Sequence, residues 1–499
     1  MKNSCPTRRD LRSDLENPLS ILALLTILFA ASACSTTETT LVTIDTTTVL
    51  SDVSHHPIGI NIDYFMDDDN FLKPKTRTTA DALKAMGVKY LRYPGGNKSD
   101  FYFFSTPPYE KSQPTLARTG KGAVGGRHKM LTDYSAFKYD VLDFDEFIQM
   151  CRKIDAVPII CVAADEYLID YPAGCTASSR EELIQHAVEW VRYANIKKKY
   201  NVKYWMIGNE TWHKQNENST PQIYANDVVD FSKAMKAVDP TIKIVPNGRN
   251  EDWWQVVLPI TAEYIDALCV SNYPVYNYEN GYADYRDNYP DLTKQTDIAV
   301  DSIEKFLPPQ RAKQIKVIIA EYGSMDWAGK WPHINNQGHN LASFEMTGLF
   351  LNNPRVHSSQ FWNTRWIHNK ERQDSIFDAL DKDNNFNANA YGLAIFGNHL
   401  AKYMVKTSST LHVRTFASYD PGPGRLFLYL INKAPGQRKI TLDIKGRTID
   451  SVLQRWELIS KGPEDKNPVY RQNFSLPQPD NPQLTLPHTS ITLLELKLK

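Results

Sequence analysis

Two glutamates stand where catalytic carboxylates would be expected. Tyr204, Trp205, Met206 and Ile207 lead into Gly208, Asn209 and Glu210, and Val317, Ile318, Ile319 and Ala320 lead into Glu321 and Tyr322. Each reads as a buried strand that ends in a polar group. One such group alone is as readily a helix cap or the salt-bridge partner of Arg92. Two of them, on separate strand ends, suit a reaction needing a proton donor on one side of a carbon centre and a carboxylate on the other, as glycosidic cleavage does. In the retaining form of that chemistry the carboxyls stand about 5–5.5 Å apart, one ionised as nucleophile and the other protonated as acid/base. Asp165 and Glu166 also follow an apolar run and read as a helix start or a substrate-binding pair. No CxxC, HExxH or His cluster is present, and the adjacent His55 and His56 would point to opposite faces of a strand, so neither metal nor cofactor is implied.

What must position these groups is a succession of strands and helices. Apolar β-branched runs at Ile58 to Ile62, Val88 to Arg92, Val157 to Val162, Val202 to Ile207, Ile242 to Pro246, Ala267 to Ser271, Ile315 to Ala320 and His357 to Trp362 number eight. Amphipathic stretches such as Thr78 to Met86, Phe144 to Ile154, Glu181 to Lys199, Ile223 to Val238, Asp297 to Phe306 and Leu341 to Asn352 lie between them. Eight βα units predict an α/β fold closed as a (β/α)8 TIM barrel, whose functional groups gather at the C-terminal strand ends. An open doubly wound sheet is the competitor, but no GxGxxG follows the first strand. The insertion from Gly95 to about Tyr134 is the long βα loop expected at a barrel mouth, and its Gly120 to Gly126 run lacks the GK[ST] ending of a phosphate loop. From about Thr407, short alternating strands predict a C-terminal all-β sandwich, to which a strand near Leu41 to Val49 could return.

The expected organisation is a lipoprotein signal peptide at 1–33, a tether and possible first sandwich strand at 34–50, the barrel at 51–405 and the sandwich at 406–499. The leader reading rests on Lys2, Arg8, Arg9 and Arg12 ahead of the apolar run Leu19 to Ala30, then Ala31-Ser32-Ala33-Cys34. Cys34 would carry the lipid and hold the chain in a bacterial cell envelope; cleavage after Ala33 would secrete it. The run is too short to span a membrane comfortably. Cys161 and Cys269, inside apolar runs, read as buried small hydrophobes. Net charge is zero, which argues against a nucleic-acid partner. Aromatic residues reach 11% and many fall in loops, which suits a ligand with flat apolar faces. Phe101, Tyr102, Trp212, Trp253, Trp254, Tyr276, Trp327 and Trp331 are candidates for stacking on sugar rings, with burial under a neighbouring loop at least as good a reading for each.

The motifs around these residues resemble those of the clan of retaining glycosidases that place acid/base and nucleophile at the ends of barrel strands four and seven. Ile207-Gly208-Asn209-Glu210 resembles its Asn-Glu acid/base motif, and Ala320-Glu321-Tyr322-Gly323 its nucleophile strand. Leu91-Arg92-Tyr93-Pro94-Gly95-Gly96-Asn97 resembles the Arg-x-Pro-Gly-Gly turn of family 51 α-L-arabinofuranosidases, a turn shared with barrels that cut agar, porphyran or other β-linked galactans. The resemblance implies that Asn209 holds the sugar hydroxyl beside the anomeric carbon, Tyr273 hydrogen-bonds the nucleophile, Trp362 forms a sugar platform and Arg92 keeps Glu321 ionised. Asn61, Glu166, Trp212 and Trp327 complete the expected carbohydrate-binding set. Two departures lie near the sugar: Ser271-Asn272-Tyr273 where family 51 usually has a His before the Tyr, and Asn61-Ile62-Asp63 where it usually has a Glu. The expected activity is therefore arabinofuranosidase-like hydrolysis of plant or algal glycans, with an agarase- or porphyranase-type endo-β-galactanase, or a non-catalytic surface glycan binder, as alternatives.

Overall fold

A computed structural model describes residues 39–73, 76–120, 141–170, 173–213, 218–273, 278–288, 291–325, 330–365 and 375–499. The expected leader with Cys34, the loop residues Tyr276 and Trp327, and residues 121–126 of the glycine-rich run lie outside these. The strands in chain order are β1 (Thr40–Asp52), β2 (Ile58–Asn61), β3 (Tyr90–Tyr93), β4 (Tyr102–Phe103), β5 (Thr115–Leu116), β6 (Arg118–Gly120), β7 (Val157–Val162), β8 (Cys175–Ala177), β9 (Tyr204–Ile207), β10 (Lys243–Pro246), β11 (Ala267–Asn272), β12 (Lys316–Tyr322), β13 (Val356–Phe361), β14 (Tyr403–Thr407), β15 (Val413–Asp420), β16 (Arg425–Asn432), β17 (Arg438–Lys445), β18 (Ile449–Ile459), β19 (Val469–Gln472), β20 (Gln483–Leu486) and β21 (Ser490–Leu498).

Eight strands pair in parallel in the order β10-β9-β7-β3-β2-β13-β12-β11, so the first barrel strand, β2, lies against the last, β13. A parallel bridge between Asn247 and Cys269 joins the two ends, completing the barrel. Each strand turns alternate residues to the axis and to the helices. Tyr90, Ile159, Cys161, Met206, Val245, Ala267, Cys269, Ile318 and Ala320 fill the axis, while Leu91, Ile160, Trp205, Ile207, Val317 and Ile319 join the larger core beneath the helices. Cys161 and Cys269 are buried apolar filling.

The helices that cover this barrel start and stop on local signals. The helix Phe144–Ile154 begins with a capping box between Asp143 and Glu146 and ends at Asp155 in the left-handed conformation; Ser179 and Glu182 cap Arg180–Val191 in the same way. Two helices not marked out by the sequence pattern are Glu251–Thr261, which has Pro259 inside it, and Ala388–Asn398, whose composition is apolar nearly all round. The long loop after the second barrel strand opens as a 3-10 turn at Gly96–Phe101 and continues in the β4–β5 pairing and a β6–β8 pairing.

The remaining strands form a nine-stranded sheet in the order β19-β18-β21-β16-β15-β14-β1-β17-β20, folded over a second core of Val42, Ile44, Val405, Leu428, Leu430, Ile440, Leu494 and their neighbours. Much of the segment read as a tether is strand: β1 begins at Thr40 and pairs parallel with β17 and antiparallel with β14, because alternating Val42 and Ile44 bury among β-branched threonines that favour extended backbone. The sandwich likewise begins at Tyr403, ahead of the expected boundary. The protein is thus a TIM barrel with a β-sandwich.

Candidate active site

The site is built around one buried arginine. Arg92 faces the barrel axis from β3 and is only 1% exposed. Its Nη1 donates to Glu321 Oε1 at 2.9 Å and to Asn61 Oδ1 at 2.8 Å, and its Nη2 donates to Asn209 Oδ1 at 2.5 Å. Nε lies 3.2 Å from Met206 Sδ, one layer further down the axis. A guanidinium presents its donors in a rigid plane, so these contacts bring the ends of barrel strands one, two, four and seven into one arrangement. Asn61 has no exposed surface, and its Nδ2 donates to the backbone carbonyl of Ala320 at 2.9 Å. It ties Arg92 to β12 and is not open to a sugar.

Glu321 reaches the axis because its strand is irregular. Ile318 and Ala320 point inward, and strict alternation would send Glu321 out towards the helices with Tyr322 inward. The register with β11 slips between Val270 and Ser271, pairing Ile319 with Val270 but Glu321 with Ser271, and a second slip against β13 falls between Ile319 and Tyr322. A bulge of this kind re-aims a side chain beside a functional site. Glu321 then accepts from Arg92 on Oε1 and from Tyr273 Oη on Oε2 at 2.9 Å.

Glu210 sits half-buried in the turn after β9. Gly208 has φ 70° and Glu210 itself φ 46°, a left-handed conformation costly for a residue with a Cβ. The turn is held by its surroundings. The Asn209 amide donates to Asp100 Oδ1 and its Nδ2 to Asn97 Oδ1, both at 3.0 Å, from the 3-10 turn after the second barrel strand. Asn247 accepts from the Thr211 amide at 3.0 Å and donates to the Gly208 carbonyl at 3.1 Å.

Burial, and then the charge of Glu210, push the Glu321 carboxyl up to about 7, while Arg92 and Tyr273 pull it down. Burial raises Glu210 as well, against hydrogen bonding from Ser271 and the positive charges of Arg92 and Arg249. Two neighbouring buried carboxyls, with Arg92 acting on both, disfavour double ionisation. Glu321 has a fixed donor on each oxygen, and both donors favour its ionised form. One ionised carboxylate beside one protonated carboxyl can attack a carbon and protonate a leaving oxygen.

Trp362 ends β13 and packs with Tyr273, Met325, Ile376 and Phe377 in a small apolar cluster at the mouth. Its ring lies on Gly96, where an added Cβ would collide with the indole and where φ is 52°. The two glycines of the Arg-x-Pro-Gly-Gly turn thereby place Asn97 and Asp100 under the acid/base turn while leaving room for Trp362.

Other expected site residues lie elsewhere. Glu166 has no exposed surface and is ion-paired with Arg118 at 3.3 Å, whose guanidinium lies over Phe101 at 4.1 Å. A carboxylate so enclosed supports the loop and does not meet a ligand at the mouth; Asp165, 1% exposed, is buried beside it. Phe101, Tyr102, Trp253, Trp254 and Trp331 are buried too, leaving Trp212 as the half-exposed member of the aromatic set among the described residues. Residues that the sequence reading did not single out are Asp100, Asn247, Arg249, Met325 and Phe377. Asn247 had a signal, since it directly follows the fifth barrel strand; Met325 and Phe377 lie in loops whose packing only the fold reveals. Asp63, where a Glu is usual in the resembled family, is buried and paired with Lys98, and so presents no free carboxylate.

Residues 82–295 match the family described as alpha-L-arabinofuranosidase 1 domain. Alpha-L-arabinofuranosidase C of Emericella nidulans is 30% identical over 201 residues, covering 37% of this chain and 33% of that protein. The intracellular exo-alpha-(1->5)-L-arabinofuranosidase of Acetivibrio thermocellus is 25% identical over 300 residues, 56% of this chain and 53% of the relative. The matched region therefore spans about a third to a half of these relatives. In fold, the Thermotoga maritima alpha-L-arabinofuranosidase, solved with arabinose, superposes with a TM-score of 0.69 at 18% identity, covering 91% of this chain and 99% of that one. The chain resembles the family 51 α-L-arabinofuranosidases of the retaining clan in motifs, in matched sequence and in fold.

Proposed function

We propose that this chain is a retaining glycoside hydrolase that releases α-L-arabinofuranosyl groups, with Glu321 as nucleophile and Glu210 as acid/base. The observation that carries the reading is the asymmetry of the two carboxyls. Glu321 is held from both oxygens by Arg92 and Tyr273, whereas Glu210, whose carboxyl burial pushes up, follows the end of another barrel strand. The resemblance to arabinofuranosidases supports the sugar.

In the first step Glu321 attacks the anomeric carbon and Glu210 gives its proton to the departing oxygen, leaving a glycosyl ester on Glu321 and a free leaving-group hydroxyl. Loss of negative charge at Glu321 removes a repulsion that favours the protonated form of Glu210, so Glu210 ionises more readily and can accept a proton from water. That water attacks the same carbon from the side the first sugar left, freeing Glu321 and returning the proton to Glu210. Two inversions retain configuration. Tyr273 and Arg92 hold the Glu321 carboxylate in position throughout, and Trp362, buried against Gly96, packs in the apolar cluster that backs Tyr273. No residue of this scheme calls for a metal or cofactor.

A second reading, an agarase- or porphyranase-type endo-β-galactanase, draws on Asp63, which stands where family 51 usually has a Glu and whose carboxylate is engaged by Lys98. Both readings are served by one experiment: hydrolysis of arabinan, arabinoxylan, agarose, porphyran and galactan by the unmodified protein and by Glu321→Ala, with the anomer formed first read by NMR. Release of α-arabinose, lost in the variant, is expected. A first-formed β-anomer would overturn the double displacement, cleavage of agarose or porphyran alone would favour the galactanase, and binding without cleavage would make the protein a surface glycan binder. The leader pattern ending at Cys34 supports a further proposal, that the chain is lipid-anchored in the cell envelope or secreted.

A further inference from the structure

Glu210, at φ 46°, holds a backbone conformation that a residue with a Cβ rarely adopts. Such a conformation persists only where its surroundings impose it. The amides of the residues on either side of Glu210 are each captured by a side chain from a different βα loop. After it, the Thr211 amide donates to Asn247 Oδ1 at 3.0 Å, while Asn247 Nδ2 donates to the carbonyls of Ile207 and Gly208 at 3.0 and 3.1 Å. Before it, the Asn209 amide donates to Asp100 Oδ1 at 3.0 Å. Asn209 is 2% exposed, so without Asp100 that amide would be buried and unpaired.

The two supports differ in kind. Asn247 is built into the barrel, because its own amide donates to the Tyr224 hydroxyl at 2.7 Å and that hydroxyl donates to the Ile207 carbonyl at 2.7 Å. The Asp100 side chain makes one hydrogen bond among the described residues, and that bond goes to the turn. Its surroundings resist a charge. Burial and the nearby Asp165 and Glu166 push the Asp100 carboxyl well above the ordinary carboxylate range, against the Asn209 amide and Arg92. This position therefore calls for an acceptor atom and disfavours an ion.

We propose that Asp100 is a positioning residue for the acid/base: as a hydrogen-bond acceptor it holds the Asn209 amide, and so keeps the Glu210 carboxyl where it reaches first the leaving oxygen and then the attacking water. The inference rests on the reading of Glu210 as the acid/base. It gives the segment from Arg92 to Asp100 two tasks. Arg92, at the end of β3, holds the Glu321 carboxylate, and Asp100, on the 3-10 turn that follows, holds the turn of Glu210. One βα loop then sets both carboxyls of the reaction.

The test compares variants that keep or remove the acceptor. Asp100→Leu, of similar size but without one, should lose about 10- to 100-fold in kcat/KM on an arabinofuranoside with a poor leaving group, and little on an activated aryl arabinofuranoside, whose oxygen needs no proton. Asp100→Asn keeps the acceptor without the acid and should restore most of the lost activity. Placed on Glu210→Ala, Asp100→Leu should cost nothing further, since no carboxyl remains to be positioned. Hydrogen exchange reads the same bond without turnover: amides of residues 207–212 should exchange at least about tenfold faster in Asp100→Leu, with the helix Phe144–Ile154 unchanged. A loss in Asp100→Asn as large as in Asp100→Leu would make the acid itself the agent and overturn the proposal. So would a loss equal on both leaving groups, a loss that persists on Glu210→Ala, or unchanged exchange at the turn. Glu210→Ala alone reads the premise. If it lacks the leaving-group dependence, the reading of Glu210 falls and this proposal with it; if it has that dependence and Asp100→Leu does not, the positioning role falls alone.

Discussion

Two buried glutamates in this protein have nearly the same ligands and sit in very different regions. At the barrel mouth, Glu321 accepts from Arg92 on Oε1 at 2.9 Å and from Tyr273 on Oε2 at 2.9 Å. At the junction of barrel and sandwich, Glu345, from the helix Gln337–Asn352, accepts from Arg414 on Oε1 at 2.5 Å and from Tyr285 on Oε2 at 2.8 Å. They are 5% and 3% exposed. What differs is the third neighbour. Lys433 stands 3.5 Å from Glu345, which therefore has two cations to its one charge. Glu321 instead faces Glu210, so two carboxyls share one buried arginine. The first arrangement joins barrel and sandwich. The second sets two carboxyls beside one shared buried arginine, which favours keeping a proton on the pair, as the proposed acid catalysis needs. An Arg-Tyr-Glu constellation is therefore no signature of catalysis; the charge placed opposite it decides.

The sharpest way to break this comparison is to delete each glutamate. Glu321→Ala should lower kcat by on the order of 10^4-fold or more while leaving the thermal transition close to that of the unmodified protein. Glu345→Ala should do the reverse, destabilising by about 3–5 kcal/mol because the buried Lys433 and the half-buried Arg414 lose their anion, with kcat of the folded fraction little changed. Denaturant unfolding and single-turnover rates measured side by side would show it; loss of turnover without loss of stability in Glu345→Ala would remove the distinction. Next in size is Glu210→Ala, expected to cost about 10^2–10^4-fold on a substrate with a poor leaving group and far less on an activated aryl glycoside, whose oxygen needs no proton to depart. An equal loss on both would mean that Glu210 is not the acid.

The two tyrosines refine the comparison at smaller scale. Tyr273→Phe removes a donor to the ionised form of Glu321, so the nucleophile's pKa rises and the acid limb of the pH–rate profile should move to higher pH, narrowing the active range from below. Tyr285→Phe should leave the profile unmoved and cost roughly 1 kcal/mol of stability. If both substitutions shifted the profile, the two glutamates would not be the separate devices described.

Much of the fold was legible because one-dimensional patterns carry it. The β-branched runs and 3.6-residue periodicity marked all eight barrel strands and most covering helices within a few residues, since burial on both faces of a parallel strand demands continuous apolar sequence. Where pattern failed, packing had overridden it. The Glu251–Thr261 helix tolerates Pro259, and Ala388–Asn398 is too uniformly apolar to show a face. The polar, threonine-rich start of β1 reads equally as tether, and its pairing with β14 and β17 comes from the far end of the chain. In the site, Glu210 and Glu321 could be read because they directly follow apolar runs, whereas the roles of Asn209, Arg92 and Tyr273 came from the resemblance of the motifs around them. Glu166 follows the same rule, yet it lies enclosed with Arg118, since sequence position cannot say which strand-end carboxylate a neighbouring loop will cover.

By itself, then, the sequence determined the barrel, its β companion and the strand ends at which polar groups gather, because those follow from which residues must leave water and at what spacing. Only the tertiary structure decided which of them do chemistry. The bulge that turns Glu321 to the axis, the 3-10 turn that holds Asn209 from a different βα loop, and the approach of the Glu210 carboxyl to Glu321 all arise from contacts between segments far apart in the chain. Electrostatic character depends on the distances those contacts set, which no spacing along the sequence records.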